Sequence, residues 1–385
     1  MKWILYILFL GKKRNTEDII NSNNENNNNL INKKDEKKED KETITLFSHS
    51  HWINKILILK NQIKHNLISS SADGLIILYD EYPKFNQLLK MKLFGESGVI
   101  NLTELKDGTI IACSFAAIKQ IMLNYDKNTN NYSYEIVNYF VICSTYVSKC
   151  LELINEDLLC ITQQNSIILL RKKNENIISL KKSNNYDKKD LIELLPNELC
   201  INILQLTNQL FISCNITNSK YDLSINSDIK KSINCIKFYD HDFNFIRKIP
   251  KIYPTKSQNS LVKINDKLVI VGAEVCTNEI NWNNNKGIAL INYQYLELIS
   301  FYETDNPISS ITFYVDLLYL GDDKGFVRKY KLEEQEIIKQ NIKRVHQYNI
   351  STIEYNFVFD MDSKQNIFII LTGSNDQTIK ISHNL

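Results

Sequence analysis

From residue 42 onward, apolar segments of about 4–8 residues alternate with short polar turns. Ile, Leu, Val, Tyr and Phe dominate these segments, and no 3.6-residue period of apolar positions is sustained over three turns. The pattern therefore predicts many short β-strands and an all-β fold. One short helix is predicted in YDKKDLIELLPNE, residues 186–198, where Pro196 interrupts it.

A repeated unit organises these strands. It consists of an apolar strand, a turn, a second strand that ends in a small residue, another turn and a third strand. Seven such units, called units 1 to 7 below, occupy residues 53–80, 98–123, 147–172, 200–240, 260–293, 308–332 and 350–382. A fourth strand follows each of the first six units, at residues 88–94, 134–142, 177–182, 243–249, 295–303 and 336–342. The spacing of about 42–60 residues is typical of four-stranded propeller blades.

The last unit ends in the hairpin LTGSNDQTIKIS, residues 371–382, and no fourth strand follows it. The sequence ETITLF, residues 42–47, precedes unit 1 in the place where each other fourth strand precedes its successor. We therefore expect a seven-bladed β-propeller that is closed by an N-terminal strand in the last blade. Such closure removes the open strand edges that a repeat array would otherwise expose.

Units 1 and 7 share a spacing of polar residues. His49 lies four residues before Ile53, and Asp73 lies six residues before Tyr79. Unit 7 repeats the spacing with His346 four residues before Ile350 and Asp376 six before Ser382, and unit 6 has a looser version with Asp323 seven before Tyr330. Tyr-Asp pairs end the third strands of units 1 and 4, at residues 79–80 and 239–240.

This spacing resembles the WD-repeat family, with Tyr-Asp in place of Trp-Asp. The resemblance spans about 340 residues, but its specific residues are confined to units 1, 6 and 7. It implies a buried hydrogen-bonded set in each blade that carries the residues. In unit 1 the set would contain His49, Asp73, Tyr79 and either Ser69 or Ser71; in unit 7 it would contain His346 and Asp376.

Residues 1–41 differ from the rest of the chain. The apolar run Trp3–Leu10 is too short to span a bilayer, which needs about 20 residues. Lys2 precedes the run, but GKKRN follows it instead of a cleavage site with small residues. Residues 1–10 are therefore open to three interpretations: a signal, an anchor, or an extension that packs on the domain or on a partner. Residues 11–41, rich in Asn, Lys and Glu, are predicted to be a disordered linker.

Composition limits the classes of partner. The net charge of +2 predicts no general attraction to nucleic acid or to an anionic membrane. None of the eight cysteines forms a C-x-x-C pair, and most lie inside apolar runs. This predicts buried, reduced thiols and a cytoplasmic protein, with the secretory pathway as the alternative if residues 1–10 act as a signal.

No pattern of catalytic or metal-binding residues stands out. His49 and His51 have no third metal ligand near them in sequence, and neither a G-x-S-x-G nor a P-loop pattern occurs. Asp322 and Asp323 lie in a repeat turn, where we expect a structural or solvated role. We predict no catalytic residue, no cofactor and no metal.

Two insertions indicate a surface for contacts. Residues 216–232 and 273–286 lengthen the turn between the second and third strands in the adjacent units 4 and 5. In WD-repeat folds this turn opens on the same face as the loop that leads into each blade. Trp282 is interpreted either as an anchor for a partner or as a lid packed on the propeller. Tyr221, and Tyr186 in the loop after unit 3, are weaker candidates on the same face.

The function predicted from these features is that of a non-enzymatic scaffold, one subunit of a larger complex, which binds a peptide or a domain of a protein partner. A secreted propeller enzyme or sugar-binding propeller is the first alternative. The second is a ubiquitin-ligase substrate receptor, since LPNELCINIL at residues 195–204 looks superficially like the start of an F-box.

Overall fold

The computed structural model describes residues 43–60, 66–162, 166–172, 186–193, 198–217, 234–249, 251–276, 284–360 and 364–383. All the regular elements in these residues are strands. In chain order they are β1 (Thr43–Leu46), β2 (Ile53–Ile58), β3 (Leu67–Ser71), β4 (Leu75–Tyr79), β5 (Gln87–Lys92), β6 (Asn101–Glu104), β7 (Ile110–Cys113), β8 (Phe115–Asp126), β9 (Asn131–Glu152), β10 (Leu158–Thr162), β11 (Ser166–Lys172), β12 (Tyr186–Glu193), β13 (Glu198–Thr207), β14 (Leu210–Thr217), β15 (Cys235–Asp240), β16 (Phe245–Ile249), β17 (Ile252–Pro254), β18 (Leu261–Lys263), β19 (Leu268–Cys276), β20 (Asn284–Asn292), β21 (Glu297–Thr304), β22 (Ile308–Tyr314), β23 (Leu317–Asp322), β24 (Phe326–Glu333), β25 (Glu336–Arg344), β26 (Ile350–Asp360), β27 (Gln365–Ser374) and β28 (Ile379–His383).

The strands form antiparallel sheets that mostly contain four strands. Units 1, 4 and 6 form the sheets β2-β3-β4-β5, β13-β14-β15-β16 and β22-β23-β24-β25. Unit 5 forms β17-β19-β20-β21, with β18 also paired to β19. The all-β fold with repeated four-stranded sheets is confirmed. No described residue belongs to a helix that could span a bilayer.

The N-terminal strand lies in the last sheet, whose order is β1-β28-β27-β26. Thr43 lies opposite Ser382, and Leu46 lies opposite Ile379. This confirms the pairing predicted between the two ends of the β region. The edge of β28 is thereby covered by a strand from more than 300 residues earlier in the sequence.

Units 2 and 3 share one sheet of seven strands, in the order β12-β11-β10-β9-β8-β7-β6. The long strand β9 joins them because its first part pairs with β8 and its last part pairs with β10. Since these two units are continuous through β9 and no sheet of the described strands closes on itself, the count of seven blades and the closed ring stay predictions.

One prediction made for unit 3 is wrong and another is not tested. The predicted helix at 186–198 is strand β12 from Tyr186 to Glu193, which pairs with β11 along its length. Pairing with an open strand edge satisfies the backbone groups of this short segment, so tertiary context overrides its weak helical pattern. The fourth strand predicted at 177–182 lies outside the described residues; among the described strands, β12 is the one that pairs with β11 at this end of the sheet.

The hydrophobic core lies between sheets. One cluster joins Ile68 and Ile76 of unit 1 to Leu102 and Ile110 of unit 2. The other clusters in the described residues likewise join units that are consecutive in sequence, except one that joins unit 1 to unit 7. Six of the cysteines are buried here as free thiols. Because a strand packs on sheets at both faces, it buries side chains on both faces, as in β3 and β10.

We call the first strand of each unit its innermost strand. Polar groups on the innermost strands, and in the loops that lead into them, also bridge consecutive units. Each donor bonds to the next unit: Asn54 to Val99 O, Thr103 to Cys150 O, Lys149 to Asn202 Oδ1, Asn202 to Gln258 O, Ser257 to Ser309 O, Ser309 to Ile350 O, and Ser351 to Ile53 O. The last bond leads from unit 7 to unit 1. These bonds fix the relative positions of the innermost strands.

Candidate interaction face

Successive turns of an antiparallel sheet alternate between its two ends. The loop leading into the first strand of a unit and the turn between its second and third strands therefore lie at the same end. In unit 1 the backbone N–H of Ala72 in that turn donates to the carbonyl of Trp52 in that loop, at 2.9 Å. We call this end of the sheets the loop face.

A buried polar set supports the loop face in unit 1. His49 Nδ1 lies 3.0 Å from Asp73 Oδ2, and His49 Nε2 lies 2.7 Å from Ser69 Oγ. Ser69 Oγ donates in turn to the hydroxyl of Tyr79 at 3.3 Å, and Tyr79 also contacts Ser48 Oγ. The structure thus brings together His49, Asp73 and Tyr79. Of the two serines considered for the set, Ser69 is the one bonded to His49.

Ser71 has a neighbouring role at the turn. Its hydroxyl donates to the carbonyl of His51 at 3.1 Å and accepts from the backbone N–H of Asp73 at 3.1 Å. Asp73 accepts from the N–H groups of Ser50 and Leu75 as well. Burial raises the pKa of Asp73, but hydrogen bonds from His49, Leu75 and Ser50 and the charge of His49 outweigh burial and lower the pKa to about 2.

Unit 7 repeats this arrangement. His346 Nδ1 lies 2.9 Å from Asp376 Oδ2, and Nε2 lies 2.7 Å from Thr372 Oγ1. Burial lowers the pKa of His346, although Asp376 opposes that shift. Burial raises the pKa of Asp376, but the bonds from His346 and Thr378 outweigh burial and hold it well below its usual range. Ser382, at the position of Tyr79, reaches Thr43 Oγ1 at 3.4 Å and so links β28 to β1.

Unit 6 uses an ion pair instead of a histidine. The carboxylate of Asp322, fully buried, accepts from Arg328 Nε and Nη2 at 3.2 and 3.1 Å. It also accepts from the backbone N–H groups of Lys324 and Phe326 in the turn. The spacing in the sequence pointed to Asp323 in this unit, but Asp322 is the residue that makes these bonds. Burial raises the pKa of Asp323.

Unit 4 holds a set that sequence reasoning missed. Glu198 is fully buried and accepts from Asn215 Nδ2 at 2.6 Å and from Lys237 Nζ. Lys237, Arg328 of unit 6 and Lys380 of unit 7 occupy equivalent positions, each two residues before the end-of-strand position held by Tyr79 in unit 1. A basic residue there, inside an otherwise apolar strand, is the sequence signal that accompanies the buried carboxylates of units 4 and 6, whereas Lys380 donates to the carbonyl of Val345.

The described strands that flank the two long turns of units 4 and 5 end at the loop face of adjacent sheets. Strands β14 and β15 are described up to Thr217 and from Cys235. Strands β19 and β20 pair as far as Cys276 and Asn284, so the outer parts of the predicted 273–286 insertion are strand. Backbone pairing between β19 and β20 continues up to Cys276 and Asn284. Tyr221 and Trp282 lie outside the described residues.

Tyr186 lies elsewhere than predicted. It begins β12 opposite Lys172, the last residue of β11. The turn between β10 and β11 is on the loop face, so Lys172 and Tyr186 lie at the opposite end of the sheet. Tyr186 therefore does not share a face with the two long turns, because the segment is a paired strand and not a loop.

Exposed aromatic side chains lie on the loop face. Phe47 is 81% exposed and Tyr348 is 60% exposed, in the loops leading into units 1 and 7. A depression of about 570 Å³ beside His346 is lined by Arg344, Val345, Gln347, Tyr348 and Lys380. Aromatic groups beside basic side chains suit contacts with a protein surface. The described residues contain no group of three His, Cys, Asp or Glu side chains that could hold a metal ion.

The fold is shared with solved WD40 β-propellers. The WD40 β-propeller domain of Doa1 is 11% identical, with 89% of this chain and 96% of that chain covered and a TM-score of 0.60. Sqt1 of Saccharomyces cerevisiae is 8% identical, with 89% and 99% covered and a TM-score of 0.58. A chain from the mitotic checkpoint complex is 9% identical, with 93% and 99% covered and a TM-score of 0.59.

No protein-family model and no curated protein sequence matches the chain. The low identities mean that the structural likeness establishes the fold of a WD40-type β-propeller, and that this likeness extends over most of the chain.

Proposed function

We propose that this protein is a non-enzymatic scaffold of the WD-repeat type that binds a peptide or a domain of a protein partner on its loop face. The observation that carries the proposal is the bonding of His49 to Asp73 and of His346 to Asp376. Each bond fastens a loop to the neighbouring turn, so the face is held in one shape before a partner arrives. Binding then needs little ordering of the protein, which favours affinity.

The same bonds argue against catalysis by these histidines. Both ring nitrogens of His49 and of His346 are bonded to protein side chains. A general base needs a free nitrogen that can reach the substrate proton. The solved neighbour from the mitotic checkpoint complex belongs to an assembly by its own description, in keeping with a role as one subunit of a complex.

The test is affinity purification with wild type, Trp282→Ala and a deletion of residues 218–231. Tyr295→Ala is the matched control, since Tyr295 is a 67% exposed aromatic residue in a turn at the opposite end of the sheets. We expect at least one partner to be lost from both loop variants, with affinity about tenfold weaker or worse, while the control retains it. Recovery of the same proteins by all four chains, with unchanged thermal unfolding, would contradict the proposal.

A further inference from the structure

Five innermost strands carry a β-bulge at an equivalent place. The register shifts between Ile53 and Lys55 in β2 and at the corresponding points of β13, β22 and β26. In β9 the same shift separates Val147 from Lys149. The residues directly after the bulges are Lys55, Lys149, Asn202, Ser310 and Thr352, which we call the post-bulge layer. A bulge turns the side chains that follow it in a defined direction, so these five positions are structurally equivalent.

The post-bulge layer has two positive charges and no negative one. Lys55 has a counter-ion, because its Nζ lies 2.8 Å from Oε1 of Glu354, which follows Thr352 by two residues in β26. Both side chains are mostly buried. Lys149 differs: the bond that its Nζ makes within the described residues goes to the neutral Asn202 Oδ1, at 2.7 Å. No described carboxylate forms an ion pair with it. Since an ammonium group has three donors, two remain for a ligand.

The positive charge of Lys55 in unit 1 acts on Lys149 in unit 3. Burial and, to a smaller extent, the charge of Lys55 lower the pKa of Lys149 to about 8. A cation removed from water without a counter-ion is unfavourable. Lys149 is therefore held in a place where a bound anion would be stabilised and would stabilise the protein in return.

We propose that the post-bulge layer is an oxyanion-binding site in which Lys149 donates to a carboxylate, phosphate or sulfate group, with Lys55 supplying a second positive charge. The site does not depend on the scaffold role. Its ligand chemistry is an oxyanion with at least two acceptor oxygens, because the two unused N–H groups of Lys149 require acceptors and Asn202 already bonds onward to Gln258 O.

Sulfate is a suitable probe because its charge is constant between pH 6 and 10. We expect saturable calorimetric binding with a dissociation constant on the order of 1 mM at pH 7, compared with chloride at equal ionic strength. Lys149→Met should weaken it at least tenfold. Lys90→Met, which removes an exposed lysine from the outer strand β5, should leave it unchanged. A parallel titration with glutarate distinguishes a carboxylate ligand from a sulfate- or phosphate-type ligand, and selective binding of either supports the site.

Raising the pH to 9 should weaken sulfate binding about tenfold, because unliganded Lys149 loses its proton near pH 8. The other groups that act on Lys149 are Lys55, paired with Glu354, and the thiols of Cys200 and Cys214. Burial raises the pKa of both thiols, to about 12 for Cys214, so they stay neutral in this range.

A measurement on the wild type covers the case in which Lys149→Met does not fold. With ¹³Cε-labelled lysine, the Lys149 signal, assigned with Lys149→Arg, should titrate near pH 8 and shift to a higher pKa when sulfate is added. Sulfate binding that is equal in wild type and Lys149→Met, or a Lys149 titration that sulfate leaves unchanged, would overturn the proposal.

Discussion

At the scale of single residues, the same structural requirement is met by different chemistry. The start of a unit is joined to its later strands or to the turn between them by His49 and Asp73 in unit 1, by Asn306, Asp322 and Arg328 in unit 6, and by Glu198 and Lys237 in unit 4. In each case a buried carboxylate receives several donors, which offsets the loss of water. The requirement is for a satisfied polar pair, and no single residue type is needed.

Removing one member of such a pair should therefore be costly. Asp73→Ala leaves His49 Nδ1 and the N–H groups of Ser50 and Leu75 without their acceptor. We expect the free energy of unfolding to fall by about 2–4 kcal/mol. Urea denaturation measures this, with Asp107→Ala as the control, because Asp107 makes the same kind of turn bond to Thr109 in an exposed place. Equal losses in the two variants would show that the His49 set adds nothing.

At the scale of elements, whether a segment forms a strand depends on the neighbouring strands that pair with its edge. Strand β1 has only four residues, all half-buried, and yet it completes a sheet. Its partner β28 would otherwise present unpaired backbone groups to solvent. The charged segment Tyr186–Glu193 is likewise a strand because the edge of β11 accepts it. For both segments the neighbouring strand, more than intrinsic propensity, sets the conformation.

Deleting β1 tests this dependence. A chain lacking residues 2–46 loses the ladder to β28 and the packing of Ile44 and Leu46 on the cluster between units 1 and 7. We expect a loss of about 2–5 kcal/mol and association through the exposed edge. Thermal unfolding and size-exclusion chromatography measure both effects. A chain lacking residues 2–40 keeps β1 and serves as the control; similar behaviour of the two truncations would refute the closing role of β1.

At the scale of the whole molecule, stability comes from the interfaces between neighbouring sheets. The hydrophobic clusters span neighbouring units, and hydrogen bonds between innermost strands follow the same order. A single sheet of this kind cannot bury both of its faces alone, so the units depend on one another. The interfaces between units must also be close enough for side chains of one sheet to contact the backbone of the next.

Gly321 marks such a tight place, between units 6 and 7. A Cβ at this position would meet the Ser310 hydroxyl and would lie 2.6 Å from Ile350 Cγ2. We expect Gly321→Ala to lower the free energy of unfolding by about 1–3 kcal/mol through overpacking. Gly95→Asn is the control, because Gly95 has a positive φ that Asn tolerates and open space around it. A urea midpoint for Gly321→Ala equal to that of the wild type would mean that the neighbouring side chains can move to make room for the methyl group.

The sequence by itself determined the strand content, the four-strand repeat, the pairing of residues 43–46 with the last strand and the residues His49, Asp73, His346 and Asp376. The strands and the polar residues follow from short-range spacing, which the backbone converts directly into strands and turns, and the pairing follows from the fourth strand that the last unit lacks. Only the tertiary structure decided that β9 runs through two units, that residues 186–193 form a strand, that Ser69 contacts His49, and that Glu198 and Asp322 are buried acceptors. Each of these depends on which partner the folded chain supplies, because the energy of a strand edge or a buried charge is set by that partner.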